Sequence, residues 1–570
     1  MTQAFHERQA ADVQATFCAT LVDQWVRMGM RQAVIAPGSR STPMALALAG
    51  RADIGVHVVH DERSAAFVAL GIGLATRVPA ALLCTSGTAA THFHAAVVEA
   101  DLSGVPMLVL TADRPPELQG IGAPQTIDQT ELYGGVVRRF SDPGVACAEA
   151  ADSWRELAED WWMCAVGADP GPVHVNLPFR EPLVGVAYEL PPVVEVVGGA
   201  ADDDDNDSDG WFMMRPEVAE LAAMLDQQRG VIVAGGGVDD AHAVGALAAA
   251  LQWPVLADPR SGCRHLPQAV SCFDSLVRHP EFARSHTPTV VLHLGEPPAS
   301  KVLGQWLQAS GATHVHVHSQ PRTIDPWGIV TERVYGQPST VCNELTPLVR
   351  GATGTPWLTG WQHAERTGQA ALAVVLAAEP ALTEPGVARL LSAIDARLVV
   401  SSSMPVRDVE WFGQPGVRTV VHANRGANGI DGVIATGVGV AIATGASTVV
   451  HIGDVAFCHD QSSLTALAAR HLPLTIVVTD NDGGAIFSFL PQATTLAGDR
   501  FEQLFGTPHG TDIVTLAAAH GLGSCTVSTT AELVAALADP AITVVRVPSD
   551  RAANVEMHDR LNAAVAAALG

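Results

Sequence analysis

Short apolar runs alternate with amphipathic, helix-like stretches over most of the chain. An apolar run of about four to eight residues is typical of a buried strand, and strands separated by helical patterns are typical of parallel sheets. The strand-like runs are residues 33–36, 56–59, 80–84 and 107–110, then 231–234, 255–257, 290–294 and 314–318, and finally 448–452 and 474–479. We therefore predict an α/β protein built from doubly wound parallel sheets.

The strand-like runs fall into three sets, which predict three domains at residues 1–190, 215–355 and 375–570. Residues 191–214 shift to Pro and Val and then carry the acidic run 202–209. Such a run repels itself, so we expect a solvated linker there. A calcium site is disfavoured because the spacing and the glycine of an EF-hand are missing. Residues 351–361 resemble a second loose connection.

Composition and charge narrow the class of protein. A chain of 570 residues exceeds what one core supports, and its net charge of −26 disfavours a nucleic acid or an anionic membrane as a partner. Nine scattered cysteines without a CxxC pair, and an amino terminus without an apolar signal region, predict a protein of the reducing cytoplasm. The uncharged stretch 432–453 fits a buried helix and strand better than a membrane span.

Polar residues follow two strand-like runs in the last third of the chain. Asp454 comes just after the run 448–452, and Asn481 and Gly483 come just after the run 474–479. A helical pattern at 462–470 joins the runs, so the strands should be parallel and their carboxyl ends should meet at one edge of the sheet. The Asp454 carboxylate, the Asn481 carboxamide and a Gly483 carbonyl would then form an oxygen site for Mg²⁺ that leaves positions free for a diphosphate.

Each short motif also has an ordinary structural interpretation. An Asp after a strand commonly caps a helix, and Asn-Asp-Gly is a common turn. Asp61 and Glu62, which follow the run 56–59, can stabilise the first turn of the next helix. The glycine run 235–237 lacks the later glycine of a dinucleotide fingerprint and predicts a turn. The alternating histidines of the run 314–318 share one face and fit packing as well as metal binding, so they stay unassigned.

Several longer motifs are distributed over nearly the whole chain. They are Ala36-Pro37-Gly38-Ser39-Arg40-Ser41, Asp61-Glu62-Arg63, Thr85-Ser86-Gly87-Thr88, Thr111-Ala112-Asp113-Arg114-Pro115-Pro116-Glu117-Leu118, Gly171-Pro172-Val173-His174 ahead of Arg180-Glu181-Pro182, Asn424-Arg425-Gly426, and the run from Asn481 to Pro491. Over nearly its whole length the chain resembles the thiamine-diphosphate enzymes of the MenD family, the 2-succinyl-5-enolpyruvyl-6-hydroxy-3-cyclohexene-1-carboxylate synthases. The Ser-Arg and Asp-Arg-Pro loops are the motifs most specific to that family.

The resemblance implies a pyrimidine-binding domain first, a middle domain, and a diphosphate- and metal-binding domain last. It implies thiamine diphosphate and Mg²⁺ or Mn²⁺ as cofactors, with Asp454, Asn481 and Gly483 as metal ligands and Ile430 as the apolar support of the bent cofactor. Glu62 would bond the pyrimidine ring and favour the tautomer that removes the C2 proton. It also implies a homodimer or a dimer of dimers, because Glu62 of one chain would meet the metal site of the other.

The family reaction is a transfer: 2-oxoglutarate is decarboxylated and the remaining unit is added to isochorismate, in menaquinone biosynthesis. Both substrates are anionic, and a guanidinium group binds a carboxylate through two parallel hydrogen bonds. By resemblance, 2-oxoglutarate would be held by Ser403, Arg407 and Arg425. Isochorismate would face Ser39, Arg40, Arg114, Gln125 and Lys301. For any one arginine, a structural salt bridge is the competing interpretation.

Two departures from the family pattern, and two rival functions, accompany this interpretation. Val302 follows Lys301 where a basic residue is common, and Asp480 and Asp482 flank Asn481 where asparagines are common. The added acids predict tighter metal binding. The rivals are another thiamine-diphosphate decarboxylase or carboligase, disfavoured by the Arg40 and Arg114 loops, and a non-catalytic α/β binding protein. A measurement of thiamine-diphosphate binding with and without Mg²⁺ distinguishes an enzyme from a non-catalytic binding protein.

Overall fold

The protein contains three six-stranded sheets, each parallel throughout. The structure, a computed structural model, describes residues 2–193, 218–226, 229–351 and 356–570, with side chains from residue 9 onward. Helices accompany every sheet, because parallel strands require crossover connections. This architecture confirms the predicted α/β class, and every predicted strand run coincides with an observed strand. The acidic run 202–209 lies outside the described residues.

The first sheet carries the Ser-Arg and Asp-Arg-Pro loops. Its strands are β1 (Gln32–Ile35), β2 (Gly55–Val58), β3 (Ala80–Cys84), β4 (Met107–Asp113), β5 (Arg139–Ser141) and β6 (Pro172–Pro178), in the order β2-β1-β3-β4-β6-β5. The helices are α1 (Thr2–Arg27), α2 (Thr42–Ala49), α3 (Glu62–Thr76), α4 (Thr88–Thr91), α5 (His94–Leu102) and α6 (Trp154–Val166). The three strands β3, β4 and β6 are buried along their whole length, which explains their nearly continuous apolar sequences.

The second sheet occupies the middle of the chain. Its strands are β7 (Gly230–Ala234), β8 (Val255–Ala257), β9 (Ala269–Val270), β10 (Val290–Leu294), β11 (Thr313–His318) and β12 (Glu332–Tyr335), in the order β12-β11-β10-β7-β8-β9. The helices are α7 (Val218–Leu225), α8 (Ala241–Leu251), α9 (Phe273–Arg278), α10 (Pro280–Ser285), α11 (Lys301–Ser310), α12 (Pro338–Leu345) and α13 (Pro356–Ala377). The glycine run after β7 forms a turn, as predicted.

The third sheet carries the predicted metal site. Its strands are β13 (Arg397–Val400), β14 (Val420–His422), β15 (Thr448–Gly453), β16 (Leu474–Asp480), β17 (Ser524–Thr526) and β18 (Val544–Pro548), in the order β14-β13-β15-β16-β18-β17. The helices are α14 (Glu384–Leu391), α15 (Met404–Phe412), α16 (Val433–Thr444), α17 (Asp454–His459), α18 (Gln492–Thr495), α19 (Gly498–Phe501), α20 (Ile513–Ala519), α21 (Thr530–Ala538) and α22 (Arg551–Leu569).

Two predicted connections differ from the structure. The predicted helix 462–470 is wrong: the α-helix of this crossover is α17, and two 3₁₀ turns, Gln461–Leu464 and Ala468–Arg470, follow it. The left-handed φ of 60° at Ala466 breaks the helical repeat there. The expected loose segment 351–361 is wrong from residue 356, because α13 begins at Pro356 and buries Trp357 and Trp361.

The uncharged stretch 432–453 forms a buried helix and a strand, as predicted. Helix α16 packs closely on α3, because glycines replace side chains where the two backbones meet. A Cβ atom on Gly71 would lie 2.2 Å from the carbonyl oxygen of Thr436, and one on Gly439 would lie 2.2 Å from that of Val68. Among the described helices, none is long and apolar enough to cross a membrane.

The chain divides into two compact units. One unit comprises residues 1–212 together with Asn424–Gly445, and the other comprises 213–423 and 446–570. The segment Asn424–Gly445 thus groups with the first sheet, although it falls within the expected third domain. Its loop is held by Glu99, whose carboxylate accepts hydrogen bonds from the backbone amides of Gly426 and Ala427, each at 2.7 Å. The domain boundaries of the sequence analysis stay predictions.

The alternating histidines of β11 are packed inside the second sheet. His314, His316 and His318 are at most 6% exposed, and His293 of β10 lies beside them, with its Nδ1 3.4 Å from His314 Nε2. His316 Nε2 lies 2.8 Å from the carbonyl oxygen of Gly295. Burial lowers the pKa of both His314 and His316 to about 4, and the neighbouring histidines add to this effect. These side chains are therefore neutral at physiological pH.

We predict that this cluster makes the protein sensitive to acid. The unfolded chain binds protons below its ordinary histidine pKa of about 6.5, whereas the folded cluster does not, so stability is lost as the pH falls from about 6.5 towards 4. Each such histidine adds a slope of up to about 1.4 kcal/mol per pH unit to the free energy of unfolding. Urea unfolding at a series of pH values measures this slope.

The matched variants are His316→Gln and His363→Gln, since His363 is exposed on α13. Between pH 6 and 5, the slope of the unfolding free energy against pH should decrease in His316→Gln by about 1.4 kcal/mol per pH unit, the contribution of one proton. The same slope should stay unchanged in His363→Gln. Equal slopes in both variants would contradict the assignment.

Candidate active site

The predicted metal ligands lie at the carboxyl edge of two neighbouring strands. β15 and β16 pair in parallel, with Gly453 opposite Thr479. Asp454 begins α17 immediately after β15, and Asn481 directly follows β16. Their meeting thus follows from the crossover predicted from the sequence, although its helix is shorter and earlier than expected.

Asp454 is held rigidly by backbone amides. Its side chain is buried, with Oδ1 accepting from Val455 N at 2.7 Å and Oδ2 accepting from Asn481 N at 3.1 Å and from Gly483 N at 2.9 Å. Burial raises the pKa of the Asp454 carboxyl, while these amide hydrogen bonds favour the charged form. A buried carboxylate in this position is a suitable ligand for a hard cation.

Asn481 presents a free carbonyl oxygen at the same place. Its Nδ2 donates to Glu384 Oε1 at 2.9 Å, and its Oδ1 is buried without a hydrogen-bond partner. A buried acceptor without a hydrogen-bond donor carries a desolvation cost unless a bound ion, ligand or water satisfies it. Glu384 was missed by sequence reasoning, because it lies at the start of α14, far from any motif.

Gly483 provides the turn that closes this site. Its φ is 143°, and a Cβ atom there would lie 1.9 Å from the carbonyl oxygen of Gly506, so no other residue fits. Its own carbonyl oxygen accepts from Ala485 N at 3.0 Å. A second lone pair on that oxygen stays available for a cation.

Two further side chains at this edge were not predicted as ligands. Ligand atoms of Asp454, Asp480 and His509 all lie within 4.8 Å of one another, and in the described part of the chain no other three such side chains meet in this way. Asp480 Oδ2 also accepts from Arg546 Nε at 2.5 Å, so its charge is balanced within the protein. Asp482 instead accepts from the backbone amides of His509 and Gly510. The two added acids are therefore already engaged by protein groups.

The donor set fits a divalent cation. It combines a buried carboxylate and an unpartnered amide oxygen with a glycine carbonyl, all hard oxygen donors on one sheet edge. Such an incomplete protein cage is typical of Mg²⁺, which keeps positions for phosphate oxygens and water.

The first sheet brings several predicted substrate residues to its own carboxyl edge. Ser39 and Arg40 follow β1, Arg114 follows β4, and β3 lies between these strands. Two hydrogen bonds join Gln125 to Ser86 in the loop after β3. Gln125 Nε2 donates to the backbone carbonyl oxygen of Ser86 at 3.1 Å, and the backbone carbonyl oxygen of Gln125 accepts from Ser86 Oγ at 2.9 Å.

Arg40 and Arg114 form a cationic pair at this edge. Arg40 is only 3% exposed, and burial lowers its pKa, with the neighbouring Arg114 guanidinium adding to the effect. Arg40 Nη2 donates to Glu181 Oε1 at 3.0 Å, and the Glu181 side chain is 74% exposed. Arg114 Nη2 donates to Pro124 O at 3.2 Å, while the buried Nε atoms of both arginines lack a partner. Like charges held together in this way suit an anionic ligand.

The other predicted residues lie on separate elements. Ser403 precedes α15 and has a φ of 81°, a strained value for a residue with a side chain, and Arg407 donates to its carbonyl oxygen. Lys301 is exposed at the first position of α11. Arg425 and Ile430 are half-buried in the loop that precedes α16, next to the amides held by Glu99.

Glu62 occupies the first turn of α3 in the unit of the first sheet. Asp61 is the N-cap of that helix, since its Oδ1 accepts from Ser64 N at 2.9 Å. The capping interpretation therefore holds for Asp61 and leaves the Glu62 carboxylate, which is half-buried, without a capping role.

Comparison with known families identifies the class of enzyme to which this chain of three parallel sheets belongs. Residues 15–132 match the N-terminal binding domain of thiamine pyrophosphate enzymes, 213–397 match their middle domain, and 413–547 match their C-terminal binding domain. The chain is thus a thiamine pyrophosphate enzyme. Thiamine pyrophosphate is the cofactor that is also called thiamine diphosphate.

Similarity to curated proteins narrows the class to one family. The chain is 40% identical to the 2-succinyl-5-enolpyruvyl-6-hydroxy-3-cyclohexene-1-carboxylate synthase of Myxococcus xanthus, covering 98% of each chain. It is 41% identical to the synthase of Thermobifida fusca, covering 96% of this chain and 98% of that one. It is 38% identical to the synthase of Geobacillus kaustophilus, with 96% and 97% covered. The chain belongs to this synthase family.

We predict that Asp454→Ala abolishes metal-dependent binding of thiamine diphosphate, because loss of the buried carboxylate leaves the diphosphate charge poorly compensated. Isothermal titration of the cofactor with and without Mg²⁺ measures the effect. Asp559→Ala, which removes an exposed acid of α22, serves as the control and should bind as the unaltered protein does. Undiminished, Mg²⁺-dependent binding by Asp454→Ala would exclude the assigned site.

Proposed function

We propose that this protein is a 2-succinyl-5-enolpyruvyl-6-hydroxy-3-cyclohexene-1-carboxylate synthase. It would decarboxylate 2-oxoglutarate and add the resulting four-carbon unit to isochorismate, as a transferase of menaquinone biosynthesis. The observation that carries this proposal is the pair formed by the buried Arg40 and the half-buried Arg114 at the edge of the first sheet, in a chain whose net charge is −26. An acidic protein that holds two guanidinium groups together is suited to bind a carboxylate substrate there.

The metal and diphosphate would be held at the edge of the third sheet. Asp454, Asn481 and the Gly483 carbonyl are the proposed ligands of Mg²⁺ or Mn²⁺, and Ile430 is the proposed apolar support of the cofactor. When bound, thiamine diphosphate supplies the electron sink that makes decarboxylation of a 2-oxoacid possible. The protein supplies position, charge balance and exclusion of water.

Glu62 is the proposed catalytic residue. At the first turn of α3 its carboxylate would accept a proton shared with the pyrimidine ring, which no capping hydrogen bond prevents. We further propose that the active sites form between subunits of a homodimer or a dimer of dimers. A cytoplasmic location stays an expectation from the nine free cysteines.

The two substrates would be held by different groups of residues. Arg407 and Arg425, with Ser403 nearby, would bind the carboxylates of 2-oxoglutarate. Isochorismate would be bound by Ser39, Arg40, Arg114, Gln125 and Lys301. The exposed Glu181 carboxylate on Arg40 would be displaced by the substrate carboxylate, an exchange of one carboxylate partner for another.

The direct test is mass spectrometry of the product formed from 2-oxoglutarate and isochorismate with thiamine diphosphate and Mg²⁺. We expect one succinylated cyclohexene carboxylate and one carbon dioxide per turnover. Carbon dioxide without a coupled product would instead indicate a simple 2-oxoacid decarboxylase.

We predict that Glu62→Gln binds thiamine diphosphate normally but slows hydrogen exchange at the cofactor C2 position, because a carboxamide cannot share the required proton. NMR of C2 exchange in deuterated buffer measures this step without substrates. Glu149→Gln, at a solvent-exposed acid of the same unit, is the control. Exchange at the unaltered rate in Glu62→Gln would refute the catalytic role.

We predict that Arg114→Ala still decarboxylates 2-oxoglutarate but fails to pass the product unit to isochorismate, whereas Arg425→Ala fails at the first step. A lost bidentate contact to a carboxylate is worth about 2 to 3 kcal/mol, or roughly 30- to 150-fold in the affected half-reaction. Rapid mixing with 2-oxoglutarate, followed by a chase with isochorismate, resolves the two steps.

The control for both variants is Arg139→Ala, which removes an exposed arginine paired with Asp160 at 2.6 Å. Both half-reactions should keep their rates in this control. If Arg114→Ala blocks the first step as severely as Arg425→Ala, the proposed division between the substrates is wrong.

A further inference from the structure

Glu384 is a buried carboxylate that reaches the proposed metal site from a separate element. It occupies the first position of α14, where Thr383 is the N-cap, and its side chain is 3% exposed. Glu384 Oε1 accepts from Asn481 Nδ2 at 2.9 Å and from Ser549 Oγ at 2.9 Å. Burial raises the pKa of Glu384 to about 7, while the hydrogen bonds from Asn481 and Ser549 favour its charged form and offset part of the cost of burying it.

These hydrogen bonds determine which way the Asn481 amide faces. A carboxamide has its donor and its acceptor on opposite sides of one planar group, so fixing Nδ2 also fixes Oδ1. With Nδ2 held by a carboxylate acceptor, Oδ1 is directed away from Glu384, and it is buried there without any hydrogen-bond partner. The opposite orientation would place two oxygens, Asn481 Oδ1 and Glu384 Oε1, against each other.

Ser549 fixes the carboxylate in turn. Its hydroxyl donates to the same Oε1, and its backbone amide donates at 2.8 Å to the carbonyl oxygen of Asp480, the residue before Asn481. The end of β18 and the end of β16 are thereby tied to α14 through one carboxylate oxygen. This arrangement fixes the acceptor to which Asn481 Nδ2 donates.

We propose that Glu384 is a positioning residue that sets the orientation of the Asn481 amide, so that its oxygen faces the divalent cation. This inference rests on the proposed metal site. A different role, stabilisation of the α14 amino terminus by a negative charge, would need neither the hydrogen bond to Asn481 nor the partnerless Oδ1. Partners of this kind behind a metal ligand typically change metal affinity about 10- to 100-fold when removed.

The test measures Mn²⁺ binding by electron paramagnetic resonance, in the presence of thiamine diphosphate and without substrates. Glu384→Ala should weaken Mn²⁺ binding about 10- to 100-fold. Glu384→Gln should recover most of the affinity, because a carboxamide oxygen can still accept from Asn481 Nδ2. Ser549→Ala removes one of the two hydrogen bonds to Glu384 without changing the buried charge. This variant should weaken Mn²⁺ binding by a few-fold.

A second background shows whether Glu384 acts through the amide. Asn481→Asp keeps an oxygen ligand but removes the donor, so Glu384 has nothing to orient and only repels the new carboxylate. Adding Glu384→Ala to Asn481→Asp should therefore leave Mn²⁺ affinity unchanged or raise it. The same 10- to 100-fold loss in this background would overturn the inference.

A matched buried acid separates positioning from general stability. Glu365 is 6% exposed and accepts from Cys272 N at 3.1 Å and from Gln369 Nε2 at 3.0 Å, with no contact to the metal site. Glu365→Ala should lower the midpoint of thermal unfolding without changing Mn²⁺ affinity. An equal loss of affinity in Glu365→Ala, or full affinity in Glu384→Ala, overturns the positioning role while leaving the metal site intact. Failure of the unaltered protein to bind Mn²⁺ overturns the metal site and this inference with it.

Discussion

Parallel pairing of β15 with β16 is the interaction on which the candidate metal site depends. Two parallel strands end at the same edge, so the residues that follow them must converge whatever the connection between them does. The crossover here is irregular, with a short α-helix and two 3₁₀ turns, yet Asp454 still receives hydrogen bonds from the backbone of the loop after β16. The sheet thus fixes the site, and the connection has considerable freedom.

Both candidate sites hold a buried charged side chain beside another charge of the same sign. Arg40 lies beside Arg114, and Asp454 beside Asp480, although burial lowers the pKa of Arg40 and raises the pKa of Asp454. Backbone amides and neighbouring side chains offset only part of the cost of burial. A cation between the acids and an anion between the arginines would each reduce it further, so both sites are arranged for a charged occupant of opposite sign.

The strands and the convergence of Asp454 with Asn481 followed from local sequence, whereas the supporting contacts did not. Apolar runs with turn residues at their ends located the strands, and the strand ends located Asp454 and Asn481. The helical pattern at 462–470 misled, since a single left-handed residue, Ala466, interrupts it. Glu384 lies 97 residues from Asn481 and Glu181 lies 141 residues from Arg40, and nothing in the intervening sequence encodes either contact.

The close contact between α3 and α16 has a consequence for synthesis on the ribosome. The two helices belong to one compact unit, but the sequence between them contains the whole second sheet. Chains emerge from the amino terminus, and domains generally fold as they appear. The first sheet can pair its strands early, while the face of α3 around Gly71 stays uncovered until residues 433–444 have been made. Transiently exposed apolar surface of this kind is prone to aggregation, and a chaperone protects it until its partner helix is made.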